Sequence, residues 1–171
     1  MAKRFNSVAK GNRNERVLAG ILSDWSGVPL RKTPRDGDWA KAMYPGDVIP
    51  TIALNRQQWP FSFEAKDLKT FDLDSSLMGR KTGFTELMDY TLDRCETSLP
   101  VLIAKGLRKK HIVFSPVLPE HVEVVMMYFH KVWWYILPLD QFVKIPFEEM
   151  VNVANEYLSN GKRPKKRHNS G

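Results

Sequence analysis

The sequence predicts an α/β fold, a central mixed sheet flanked by helices, and three observations carry that expectation. Apolar residues recur at helical spacing in two separate stretches: Val17, Leu18, Ile21, Leu22 and Trp25, then Phe84, Leu87, Met88, Leu92 and Cys95. Between them, Phe61 to Lys66 alternates with a period of two, the signature of a strand. Helix and strand patterns interleave along the chain, as a layered sandwich around one sheet requires.

Taken in order, residues 1–11 read as a loose basic arm, and the first helix is expected from Asn12, ended by Gly27 and Pro29. Residues 31–46 are rich in turn formers and predict one short strand followed by a basic, aromatic loop. Asp47 to Leu54 predicts a strand bent at Pro50, and Phe61 to Lys66 the next one. A polar loop with Asp72, Asp74 and Ser75 leads to the second helix, whose other face is acidic through Glu86, Asp89, Asp93 and Glu96. Pro100 to Ala104 reads as a buried strand, followed by a basic turn from Lys105 to His111 and a further strand from Ile112 to Ser115. Val122 to Leu139 predicts a hairpin turning near His130 and Lys131, and Phe147, Met150, Val151, Ala154, Tyr157 and Leu158 a last helix stopped by Gly161. The expected organisation is one domain over residues 1–161 with a basic N-terminal arm, then a disordered basic tail over 162–171.

Composition narrows the class of protein. A chain of 171 residues, 43% hydrophobic and 26% charged, is long enough for one domain with a real core. Its apolar runs are far shorter than the roughly 20 residues that span a bilayer, and the N-terminus lacks a signal-peptide core, so a soluble, cytoplasmic protein is expected. The single cysteine, Cys95, can form neither an internal disulfide nor a thiolate metal site. Any metal must therefore sit on oxygen or histidine. The net charge of +7 is unevenly spread: residues 1–45 carry nine Lys/Arg against four Asp/Glu, residues 46–161 twelve against fifteen, and residues 162–171 five against none. Two basic ends around a mildly acidic centre suit a polyanion wrapped about a carboxylate-bearing site, though solubility charge with a free tail would give the same balance.

The chemistry concentrates in two short stretches. In the strand from Phe61, the residues Phe61, Phe63 and Ala65 point to one side and Ser62, Glu64 and Lys66 to the other, so one face packs while the other presents a carboxylate beside an ammonium. Asp47 follows the turn Pro45-Gly46, and pairing of the two strands can bring it next to Glu64. Two carboxylates and a lysine at one sheet edge can hold Mg²⁺, which takes one or two carboxylates and completes its shell with water and phosphate oxygens. The same residues also have plainer readings: Asp47 as a turn aspartate and Glu64 with Lys66 as a surface pair.

Pro45-Gly46-Asp47 and Glu64-Ala65-Lys66 resemble the signature of PD-(D/E)xK nucleases, with a glycine between the proline and the aspartate. Lys10-Gly11-Asn12-Arg13-Asn14-Glu15 is similar to the Lys-Gly…Glu opening of archaeal-type and phage Holliday-junction resolvases. The resemblance covers roughly residues 8–115, and nothing specific to the family is visible in 116–171. It implies a restriction-endonuclease-like core and a Mg²⁺-dependent DNA endonuclease, with Mn²⁺ able to substitute. Asp47, Glu64, the Ala65 carbonyl and Glu15 would serve the metal, and Lys66 would orient or activate the attacking water. It further implies 5′-phosphate and 3′-hydroxyl products, a two-fold homodimer, branched DNA as substrate and, for a phage protein, the host cytoplasm. The apolar stretch 122–139 could supply the dimer interface.

Cations interleaved with aromatics mark the expected DNA-binding residues: Lys10, Arg13, Arg31, Lys32, Arg35, Trp39, Lys41, Tyr44 and Lys69. Two other functions fit the same residues. A sequence-specific or single-strand nuclease would share the catalytic set, whereas a non-catalytic DNA-binding protein would keep the acidic pair for structure. The four histidines have no paired ligand spacing and read as surface or core residues.

Overall fold

The fold begins with the longest helix, α1 (Ser7–Ser26), whose Leu18, Ala19 and Leu22 are buried along one face. In the computed structural model, residues 7–34, 43–67, 80, 82–95, 97–105, 110–129 and 132–160 are described. The helix starts five residues before the expected Asn12, so the arm assigned to residues 1–11 is helical from Ser7 onward. Periodicity could not show this, because the apolar face begins only near Val17 and extending an existing helix costs little. The end falls where the sequence puts it: Gly27 takes φ +68° and its N–H donates to Ser23 O at 2.9 Å.

Among the described residues, seven strands follow in one sheet: β1 (Leu30–Lys32), β2 (Val48–Pro50), β3 (Phe61–Asp67), β4 (Leu99–Lys105), β5 (His111–Ser115), β6 (Val125–Phe129) and β7 (Val132–Pro138). Their order is β1-β2-β3-β4-β5-β7-β6. β3 and β4 run parallel, with Glu64 beside Leu102 and Asp67 beside Lys105, and every other neighbouring pair is antiparallel. The parallel step follows from the intervening crossover helix α2 (Gly83–Arg94), opened by a reciprocal pair of side-chain caps between Thr82 and Thr85. The mixed sheet flanked by helices is thus the expected fold class. β2 stops at Pro50 instead of continuing to Leu54, since proline has no N–H to carry the ladder onward. The hairpin of 122–139 is present, with Phe129 opposite Val132.

After the sheet, the described residues form two helices, the short α3 (Leu139–Phe142), which the sequence pattern did not reveal, and α4 (Phe147–Ser159). Side-chain alternation along β4 divides the core. Val101 and Ile103 join Leu18, Leu22, Phe61, Phe63, Phe142 and Met150 on the face covered by α1 and α4, whereas Leu102 and Ala104 join Phe84, Met88, Phe114 and Trp134 under α2. Trp25 ties the first layer together: its ring centroid lies 5.0 Å from Phe142 and 5.1 Å from Phe147, and its Nε1 donates to Ile145 O at 2.7 Å.

Candidate active site

The turn before β2 is shaped by one glycine. Gly46 has φ +116°, and a Cβ there would stand 2.7 Å from Phe63 O and 3.0 Å from Phe63 N. Only a residue without a side chain lets the turn approach β3 this closely. Thr33 fastens it from the other side, its Oγ1 donating to Gly46 O at 2.7 Å and its N–H to Asp47 O at 2.8 Å.

Asp47 then straddles the Glu64 position. Its N–H donates to Phe63 O at 2.7 Å, and its Oδ2 accepts the Ala65 N–H at 2.9 Å. Lys66 Nζ lies 3.7 Å from the same Oδ2 and 5.8 Å from the ring centre of Tyr90 on α2, within reach of a cation–π contact. The two faces of β3 are not one packed and one open, as the alternation suggested. Ser62 and Glu64 are both 0% exposed, and β3 becomes accessible only at Lys66 and Asp67. The reason is its central place: helices cover both sides of the sheet, so the chemistry emerges at the C-terminal end of the strand.

The motif on α1 meets that end of the sheet. Lys32 Nζ, from β1, donates to Asn12 Oδ1 at 2.6 Å and lies 3.3 Å from Glu15 Oε2. Asn14, 4% exposed, shares a hydrogen bond of 2.7 Å between its Oδ1 and Nε2 of His111 on β5. Within four residues, α1 is therefore tied to β1 on one side and β5 on the other, across β2, β3 and β4. Asp67, Lys105 and His111 form a row of register partners over β3, β4 and β5. Burial, followed by the charge of Lys105, lowers the pKa of His111 below its ordinary 6.5, with Asp67 opposing.

Asn12, Asn14, Asp67, Lys105 and His111 were not singled out from the sequence as a group. The signal lies in the polar run from Asn12 to Glu15, where the sequence marks Arg13 and Glu15 but not the two asparagines. Of the expected DNA contacts, Arg13 is exposed, Arg31 and Lys32 are partly buried on β1, and Lys10 falls on α1. Arg35, Trp39, Lys41 and Lys69 lie outside the described residues. Tyr44 is 4% exposed, and its hydroxyl donates to Leu54 O at 2.7 Å while accepting from Leu54 N at 2.6 Å. A phenol bound twice to the backbone holds the loop after β2 and presents no face to a base. Among the described residues, no three His, Cys, Asp or Glu side chains are gathered as a metal-holding group.

A mixed sheet flanked by helices, with the Pro45-Gly46-Asp47 turn held against β3, is consistent with the core of the PD-(D/E)xK nuclease superfamily. The chain belongs to the family described as "Phage putative PDDEXK endonuclease", whose model matches residues 6–157. The match extends past residue 115, where the visible resemblance ended, and so takes in β6, β7, α3 and most of α4. No curated protein and no solved structure matches the chain. No helix among the described residues is long and apolar enough to cross a membrane.

Proposed function

We propose that this protein is a divalent-metal-dependent, structure-selective DNA endonuclease, a Holliday-junction resolvase that acts on branched DNA as a homodimer in the host cytoplasm. The observation that carries the reading is the attachment of Asp47 on both sides of Glu64, with Lys66 alongside. The resolvase choice rests on the Lys10-Gly11…Glu15 resemblance, and a dimer would offer one site to each of two strands.

The donor set fits a hard cation. Asp47 and Glu64 supply carboxylates and Ala65 a carbonyl, and Mg²⁺ needs no more protein ligands than these because water and phosphate complete its shell. The Lys66 ammonium lies 3.7 Å from Asp47 Oδ2, and this pairing supports a place for positive charge beside that carboxylate. Bound there, Mg²⁺ or Mn²⁺ supplies Lewis acidity toward a phosphate and lowers the pKa of its water. The chain's own residues do the rest. Asp47 is fixed by the Ala65 N–H, so its free oxygen has one direction in which to point. Lys66, partly exposed, can turn from Asp47 to a phosphate oxygen or the attacking water. Glu15 and Lys32 stand as a carboxylate–ammonium pair at the same end, where Glu15 can assist the water shell and Lys32 the phosphate.

The deciding experiment incubates the protein with four-way junction, flap, duplex and single-stranded DNA, each with Mg²⁺ or with EDTA. Junction cleavage that requires the metal is the expected result. Cutting at one defined duplex sequence would point to a restriction-type enzyme, and binding without cleavage in either Mg²⁺ or Mn²⁺ to a non-catalytic DNA-binding protein.

A further inference from the structure

Every lysine within a strand of the described sheet stands at one end of it. Lys32 closes β1, Lys66 is the last residue but one of β3, and Lys105 closes β4. β1 runs in the direction of β3, since each is antiparallel to β2, and β4 is parallel to β3. The three positions therefore share the end at which Asp47 meets Lys66. β5 is antiparallel to β4 and starts at that same end, with exposed Lys110 directly before His111. The opposite end, marked by Phe61, Leu99 and Ser115, has no cation on these strands.

β3 lies midway between β1 and β5, two strands from each. The four spacings from β1 to β5 span roughly 19 Å, and one strand of a duplex presents a phosphate about every 3.4 Å of its axis. A backbone laid across this end thus meets cations on both flanks of Lys66 within about five phosphates. Lys32 stands on one flank, beside Asn12 and Glu15. On the other flank Lys105 is half-buried and Lys110 exposed, and Asp67, the register partner of Lys105, brings one carboxylate against these two lysines. The flank is anchored as well as charged: His111 is bonded to the buried Asn14, which ties the residue after Lys110 to the helix that carries Glu15. Burial and the charge of Lys105 lower the pKa of His111 from its ordinary 6.5, so at neutral pH the ring is uncharged and the lysines supply the charge.

We propose that Lys105 and Lys110 hold the DNA backbone on the β5 side of the cut, opposite Lys32, so that the cleaved strand crosses the end of the sheet with Lys66 at the phosphate between them. Ammonium groups suit this task because they meet phosphates as point charges without reading a base. Two flanks of positive charge fix where the strand lies along the sheet, and so which phosphate reaches Asp47 and Lys66. The inference rests on this end of the sheet being the nuclease site, but it adds a contact surface of its own, and the two can fail separately.

The test measures the affinity of the full chain for a four-way junction in EDTA over a range of salt concentrations. Lys105→Ala and Lys110→Ala should each lower the slope of log affinity against log salt by about 0.9, and together by about 1.8, with circular dichroism unchanged. Arg56→Ala removes an exposed cation from the segment that enters β3 at the other end, and should leave the slope as it is. Junctions with one phosphate replaced by a neutral methylphosphonate then locate the contact. The wild type should lose affinity from replacements on either side of the cut mapped in Mg²⁺. The double variant should ignore them on one side, and Lys32→Ala on the other. An unchanged slope in the double variant overturns the proposal, as does a double variant insensitive to the same phosphates as Lys32→Ala. If Lys105→Ala fails to fold, Lys110→Ala, at an exposed position, decides alone. A wild type that binds no DNA overturns the nuclease reading and this inference together, whereas binding and cutting with an unchanged slope overturns this inference only.

Discussion

The carboxylate of Asp47 accepts the backbone N–H of Ala65 at 2.9 Å, so a side chain fills a place that strand pairing fills elsewhere in the sheet. One candidate metal ligand is thereby fastened to the backbone of the residue between the other two candidate groups, Glu64 and Lys66. A shift of the Pro45–Asp47 turn would move the site as well as the fold.

Asp47→Asn is expected to abolish cleavage, by roughly a hundredfold or more, while junction binding stays nearly intact. The amide keeps an oxygen for the Ala65 N–H but loses the charge that a cation needs. Glu64→Gln should behave the same way. Cleavage assays run beside gel shifts check this, and near wild-type turnover by either variant would remove these residues from the site.

Gly46→Ala should destabilise the fold by about 2 kcal/mol or more, because its φ of +116° is unfavourable for alanine and the new Cβ would press on the backbone of Phe63. Gly20→Ala is the control. A Cβ at Gly20 meets nothing within 4 Å, and the position lies inside α1, so a gain of about 0.5–1 kcal/mol is expected. Urea titrations of the two variants should move in opposite directions.

His111 should make stability fall on mild acidification. Its folded pKa lies below the unfolded value of 6.5, so the unfolded chain takes up the proton first. The contribution is complete above 6.5 and is lost as pH falls from there through the folded pKa. His111→Gln, which can still hydrogen-bond to Asn14, should flatten that part of the stability profile. A midpoint that falls equally steeply in both proteins would show that the dependence arises elsewhere.

Deleting residues 162–171 should weaken DNA binding uniformly across sequences and flatten its salt dependence, each lost phosphate contact reducing the slope of log affinity against log salt by about 0.9. The five Lys and Arg removed set the upper limit of that change. An unchanged slope would mean that the tail does not touch DNA.

What the sequence determined by itself was every pattern confined to one element. The apolar stripe of α1 and its glycine stop, the alternation of β3, the β6–β7 hairpin and the Pro45-Gly46-Asp47 turn were all legible, because each depends on spacing and on the conformational limits of nearby residues. Tertiary structure alone decided what covers an element's second face and which distant polar groups converge. Glu64 alternates onto the side that looked open, yet it is 0% exposed, and Leu102 beside it on β4 belongs to the core under α2. Tyr44 sits in a basic, aromatic stretch that suggested DNA, yet Leu54 captures its hydroxyl. Asn14 and His111 are 97 residues apart and share no pattern, and they meet only because α1 crosses the end of a sheet whose strand order no local spacing records. Local preference acts over a few residues, whereas burial and long-range hydrogen bonds are properties of the packed whole.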